Sequence, residues 1–115
     1  MVLEDDPGVR GALCLLLEDL EFRPAAGARA AEALAILGAA DGVAAIITDY
    51  DLGDGVNGVD EVLFLREAGV NAPVLVISGS LRGKAGEAAR AAGFNFLSKP
   101  VRPVDIENWL ASRDG

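Results

Sequence analysis

The chain of 115 residues contains no histidine, a single cysteine, one tryptophan and one tyrosine. Without imidazole there is no Ser-His-Asp triad and no histidine-containing zinc site. Cys14 alone cannot supply the remaining zinc patterns or an intrachain disulfide, so nothing here depends on oxidation. It lies within a helical pattern and reads as a buried structural thiol in a reducing, cytoplasmic setting. Positive charge is also scarce, with 10 basic against 18 acidic residues and a net charge of −8. That balance argues against direct contact with nucleic acid or an anionic membrane and favours cationic or metal-assisted partners. No apolar run approaches the roughly 20 residues of a membrane span, and Met1-Val2-Leu3-Glu4 lacks the basic region of a targeting segment.

Apolar residues make up 51% of the chain and aromatics only 5%. A core of Ala, Val, Leu and Ile is what small helices packed on a parallel sheet require. The length fits one domain over residues 1–115, which leaves any output function to protein contacts or a fused segment.

Apolar runs alternate with helical patterns along the whole chain, the mark of a β-α repeat around a parallel sheet. Asp6 is a suitable N-cap and Pro7 a suitable first helical residue. Val9, Leu13, Leu16, Leu17 and Leu20 then recur at helical spacing, predicting a helix to about Glu21. Residues 22–27 form a weak strand whose Pro24 assigns it to the sheet edge. A helix over 28–37 should stop at Gly38. Strands are predicted at 43–49, 73–77 and 94–97. A helix marked by Val59, Val62, Leu63 and Leu65 ends near Gly69. One over 81–92 is weakened by Gly83 and Gly86, each costing about 1 kcal/mol inside a helix. A last helix follows Pro103, with Val104, Ile106, Trp109 and Leu110 on it and residues 112–115 fraying. The first strand, Met1 to Glu4, is short for a central strand, through truncation or by nature.

Reactive side chains gather at the carboxyl ends of these strands, where open α/β sheets bind ligands. Glu4-Asp5-Asp6 follows the first strand and Asp49 ends the run Ala44-Ala45-Ile46-Ile47-Thr48. Ser78 ends Pro73-Val74-Leu75-Val76-Ile77, and Lys99 follows Phe94-Asn95-Phe96-Leu97 and precedes Pro100. Carboxylate, carboxylate, hydroxyl and ammonium at one level of a sheet outline a magnesium and phosphoryl site. Carboxylates beside buried strands are costly unless paired or metal-bound, which singles out Asp5 and Asp49. Asp6 reads as a cap, Ser80 as a turn residue and Trp109 as packing.

Together these motifs resemble the receiver domain of two-component response regulators over essentially the whole chain. Glu4-Asp5 matches the family's acidic pair, Asp49 the phosphoacceptor, Ser78 the Ser/Thr switch position, Phe96 the aromatic switch and Lys99-Pro100 the lysine-proline pair. The resemblance implies a flavodoxin-like doubly wound (βα)5 fold with a five-stranded parallel sheet of order 2-1-3-4-5. It further implies Mg²⁺ held by Asp5, Asp49 and the main-chain carbonyl of Asp51, with Glu4 acting through a coordinated water. Asp49 would accept a phosphoryl group from a histidine kinase or histidine phosphotransfer protein, and Lys99, Ser78 and the amide of Gly79 would bind the phosphoryl oxygens. Ser78 and Phe96 would then reshape the surface around the glycine-rich fourth helix for a downstream protein target. The implied role is bacterial signalling rather than enzymatic turnover.

The chain departs from the family pattern at Gly53, where a proline is usual. Its Asp54-Gly55-Val56-Asn57-Gly58 loop is also one residue longer than the common form. Tyr50-Asp51-Leu52 with this loop resembles receivers associated with hybrid histidine kinases. Two other readings exist: a pseudo-receiver that binds partners without phosphorylation, and a phosphatase of the haloacid dehalogenase type. The second conflicts with the motif order, because Glu4-Asp5 precedes the Asp49-Tyr50-Asp51 strand.

Overall fold

The computed structural model describes residues 1–79 and 83–113, excepting the side chain of residue 113. Ser80 and the predicted start of the fourth helix at Leu81 lie outside the described residues, as do residues 114–115. Five strands alternate with five helices: β1 (Val2–Leu3), α1 (Pro7–Asp19), β2 (Ala26–Gly27), α2 (Ala30–Leu37), β3 (Ile46–Asp49), α3 (Gly58–Glu67), β4 (Val74–Ser78), α4 (Lys84–Ala91), β5 (Asn95–Ser98) and α5 (Pro103–Arg113). The strands are parallel and lie in the order β2-β1-β3-β4-β5. This is the flavodoxin-like arrangement, with its switch point between β1 and β3.

The period of two along each strand builds two cores at once. Leu3, Ile46, Val74 and Val76 face one side and meet Ala30 and Ala33 of α2, Val59, Val62 and Leu65 of α3, and Ala89 of α4. Val2, Ile47, Leu75 and Ile77 face the other and meet Leu17 of α1 with Ile106, Trp109 and Leu110 of α5. Trp109 is a packing residue whose indole N–H donates to the Asn95 side-chain oxygen at 3.0 Å. Covering both faces explains why the strands read as unbroken apolar runs.

Several boundaries differ from the sequence expectation. β2 is only Ala26–Gly27, at the sheet edge as expected, because Pro24 lies before the ladder, whose first bond runs from the Val2 amide to the Ala25 carbonyl at 2.9 Å. β3 starts at Ile46 rather than at 43, level with Val74, the first residue of its partner β4. The first helix ends at Asp19, and Glu21 takes a left-handed φ of 69°. Cys14 is half-buried rather than buried, and Val9, placed on the apolar face by its spacing, is 42% exposed. Gly83 is not inside α4 but is its N-cap, with φ 70°. Its flexibility therefore belongs to the turn before the helix and not to the helix itself.

Candidate functional site

Asp6 opens α1 by accepting hydrogen bonds from the amides of Gly8 (2.8 Å) and Val9 (3.1 Å). With its carboxylate spent on the cap, Asp6 leaves Glu4 and Asp5 to the cleft above the sheet. Glu4 is 3% exposed, and Asp5 stands in the open. At the end of β3 the Asp49 carboxylate is 11% exposed. One carboxylate oxygen from each of Glu4, Asp5 and Asp49 lies within 4.8 Å of the other two.

Lys99 reaches this group from just beyond β5, its Nζ 3.0 Å from Asp49 Oδ2. The stem of Lys99 runs past Gly79, where a Cβ would touch the Lys99 Cδ at 3.7 Å. Register explains the meeting. Ser78 pairs with Ser98, and the Lys99 amide donates to the Ser78 carbonyl at 2.8 Å, so the ends of β4 and β5 are level. Ser78 is buried and lines the same cleft of about 770 Å³, together with Asp51, Gly79 and Lys84. The cleft role of Lys84 was not legible in the sequence, because it depends on where α4 begins.

Electrostatics follow from crowding three carboxylates. Burial first, and then the neighbouring Asp49 charge, raise the Glu4 carboxyl to about 7. Burial opposes the charge on Lys99, but its hydrogen bond to Asp49 and the negative charges of Asp49, Glu4 and Asp5 outweigh it. The ammonium is held above its ordinary value. Lys99 thus supplies one positive charge where three carboxylates converge, and negative charge is left in excess.

That donor set fits a hard divalent cation, which takes oxygen ligands and retains waters. Asp51 lines the cleft, and its main-chain carbonyl accepts no hydrogen bond among the described residues.

The loop after β3 is a small hairpin. Leu52 donates to the Val56 carbonyl at 3.0 Å, Val56 donates to the Gly53 carbonyl at 2.9 Å, and Asp51 bridges to Asn57. Gly53, Asp54 and Gly55 take φ of 81°, 55° and 76°. Proline cannot adopt φ 81°, which explains the departure at position 53. A Cβ at Gly53 would also lie 3.1 Å from Asp5 Oδ2, so the loop passes directly over that carboxylate. Gly58, next to the Asn57 cap, lets α3 begin against β3: a Cβ there would run into the Asp49 carbonyl and the Thr48 hydroxyl.

Phe96 is half-buried two residues behind the strand-end level, opposite Val76. Its ring lies on Gly86 of α4, where a Cβ would sit 3.6 Å away. Sequence reasoning missed Arg29 and Glu61, which tie α2, α3 and the hairpin together. Arg29 donates to the Leu52 carbonyl at 2.6 Å, and Glu61 accepts from the Ala30 amide at 2.9 Å.

The model of the response regulator receiver domain family matches residues 1–111, and the chain belongs to that family. It is therefore a signalling module of two-component systems. Solved structures carry the same fold. A response regulator receiver domain protein from Clostridium thermocellum is 19% identical with a TM-score of 0.83, covering 97% of this chain and 90% of that one. Chemotaxis protein CheY4 of Vibrio cholerae is 22% identical with a TM-score of 0.80, covering 96% and 93%. A response regulator receiver protein from Burkholderia phymatum is 27% identical with a TM-score of 0.77, covering 97% and 90%. No curated protein matched the chain. Among the described residues no helix is long and apolar enough to cross a membrane.

Proposed function

We propose that the chain is a phosphoacceptor receiver in which Asp49 takes a phosphoryl group from a phosphohistidine of a histidine kinase or histidine phosphotransfer protein. The observation that carries this reading is the 3.0 Å Lys99–Asp49 contact beside the Glu4, Asp5 and Asp49 oxygens. Phosphoryl transfer spreads charge over three equatorial oxygens, so a site works chiefly by positioning and neutralising them. An Asp49 carboxylate oxygen attacks phosphorus as the P–N bond to imidazole breaks, and the electron pair leaves with the imidazole. Lys99 holds Asp49 in place and then neutralises a phosphoryl oxygen. The hydroxyl of Ser78 and the amide of Gly79 donate to the others.

Asp5, Asp49 and the Asp51 carbonyl would hold Mg²⁺, with Glu4 acting through a water. When bound, the ion would offset the charge that these carboxylates and the phosphoryl oxygens bring together. The new phosphoryl charge draws Ser78 toward Asp49, and Phe96 rotates into the space released. Because its ring rests on Gly86, this rearrangement reaches α4 and the surface offered to a downstream protein.

Intact-mass measurement and peptide mapping after incubation with acetyl phosphate test the reading. A single adduct on Asp49 that needs Mg²⁺ and vanishes in Asp49→Asn supports it. A folded protein that gains no adduct is instead a pseudo-receiver.

A further inference from the structure

Arginine is a poor choice for a helix N-cap, where Ser, Thr, Asp or Asn would bond the first amides. Arg29 occupies that position of α2, and its side chain makes no cap bond. The amides at this helix start are served by other residues: Glu61 on α3 accepts from Ala30 at 2.9 Å and Glu32 from Ala28 at 3.0 Å. The Arg29 side chain is thereby released to reach sideways into the hairpin after β3. One guanidinium nitrogen donates to the Leu52 carbonyl at 2.6 Å and the Ala28 carbonyl at 2.9 Å. The other donates to the Gly53 carbonyl at 3.4 Å. The carboxylate of Asp54 is farther, at 3.7 Å, and 96% exposed, so the arginine serves the loop backbone more than that ion pair.

The held segment carries two features of the cleft. Leu52 follows Asp51, whose carbonyl accepts no hydrogen bond among the described residues, and Gly53 passes over Asp5 Oδ2. The hairpin is also conformationally costly: three successive residues have positive φ, one of them Asp54 rather than glycine. Within the hairpin three backbone hydrogen bonds hold it, Leu52 to Val56, Val56 to Gly53 and Gly58 to Tyr50, with Asp51 Oδ1 accepting from the Gly53 amide at 3.1 Å and Leu52 buried beneath it. Arg29 adds a hold from outside the hairpin, on the Leu52 and Gly53 carbonyls.

We propose that Arg29 is a positioning residue which, through the Leu52 and Gly53 carbonyls, sets the geometry of the Asp51–Asp5 side of the cleft and so its affinity for Mg²⁺. The proposal rests on the reading of the cleft as a Mg²⁺ site. Glu61 supports it at one remove by fixing the start of α2.

Two readouts on the whole chain test it: amide hydrogen exchange in EDTA, which needs no metal, and calorimetric titration with MgCl₂. In Arg29→Gln the Leu52 and Val56 amides should exchange about tenfold faster while the strand amides keep their rates. Mg²⁺ should bind about tenfold more weakly, the scale of outer-shell effects on metal ligands. Arg29→Lys, with one ammonium in place of a fork, should fall between, about threefold weaker than wild type. Asp54→Asn should match wild type in both. Unchanged exchange overturns the clamp, and faster exchange with unchanged Mg²⁺ affinity overturns its functional part. Should Arg29→Gln fail to fold, Arg29→Lys decides, and wild-type behaviour in both readouts overturns the proposal. Wild-type protein that takes up no Mg²⁺ overturns the reading of the cleft and the affinity claim built on it. Exchange then still decides whether Arg29 holds the loop.

Discussion

Glu4 carries the residue-scale consequence of crowding three acids in one cleft. In the fold its carboxyl sits at about 7, against 4.5 for an ordinary glutamate, first through burial and then through Asp49. A raised value means that the folded state binds the proton more tightly than the unfolded chain does. The associated stability is therefore complete below about pH 4.5 and is lost as pH climbs to about 7. In EDTA the urea midpoint attributable to this group should fall between about pH 4.5 and pH 7, and Glu4→Gln should flatten that part of the profile. Adding Mg²⁺ at pH 8 should recover the loss, because the ionised carboxylates then face a cation. A profile in EDTA that Glu4→Gln leaves unaltered would remove Glu4 as the source. The acids, Ser78 and Lys99 were legible in the sequence because each ends an apolar run, and a parallel sheet brings such ends level. Arg29 and Glu61 were not, because they act across space on backbone groups, for which sequence spacing gives no signal.

At the scale of elements, two glycines of the fourth helix region that look alike in the sequence separate in the fold. Gly83 is a left-handed N-cap at φ 70°, whereas Gly86 is helical and lies beneath the Phe96 ring. Gly83→Ala should destabilise the protein by about 1 kcal/mol, since an L side chain resists that φ. Gly86→Ala should stabilise α4 by about 0.5–1 kcal/mol, its methyl making an ordinary contact with the ring. Opposite shifts in urea midpoint are the expected result, and shifts of the same sign would contradict this division. Gly58 makes the joint between β3 and α3 in a different way. A methyl there meets backbone at Asp49 and the Thr48 hydroxyl, neither of which can swing aside, so Gly58→Ala should cost about 2–3 kcal/mol and displace Asp49. On the proposed phosphoacceptor reading, a folded Gly58→Ala protein should lose adduct formation at Asp49, which would show that displacement. Element types were readable from periodicity and caps, with Asp6 and Gly38 placed correctly. The ends were less so, because a strand reaches only as far as its partner: β3 begins at Ile46, opposite the first residue of β4, Val74.

For the molecule as a whole, the doubly covered sheet was readable because a strand buried on both faces needs unbroken apolar residues, and the sheet order followed from the family resemblance. The same scale holds a choice between two ways that a cation could stabilise the protein. A net charge of −8 makes any salt helpful by screening, which at 0.15 M acts over a Debye length of about 8 Å. A built site adds a term that only the matching ion supplies, and that term grows as RT ln(1 + [L]/Kd). At ten times its Kd the ion adds about 1.4 kcal/mol, worth roughly 5 °C in melting temperature for a chain of this size. MgCl₂ should therefore raise the melting temperature beyond NaCl of equal ionic strength, and the excess should saturate. Asp5→Asn should erase that excess yet keep the screening response, because it takes one oxygen donor from the cleft and leaves most of the surface charge in place. If MgCl₂ and NaCl prove equivalent at matched ionic strength, the carboxylates are a charged surface without a cation site. If Asp5→Asn keeps the excess, the ion sits elsewhere than among Glu4, Asp5 and Asp49.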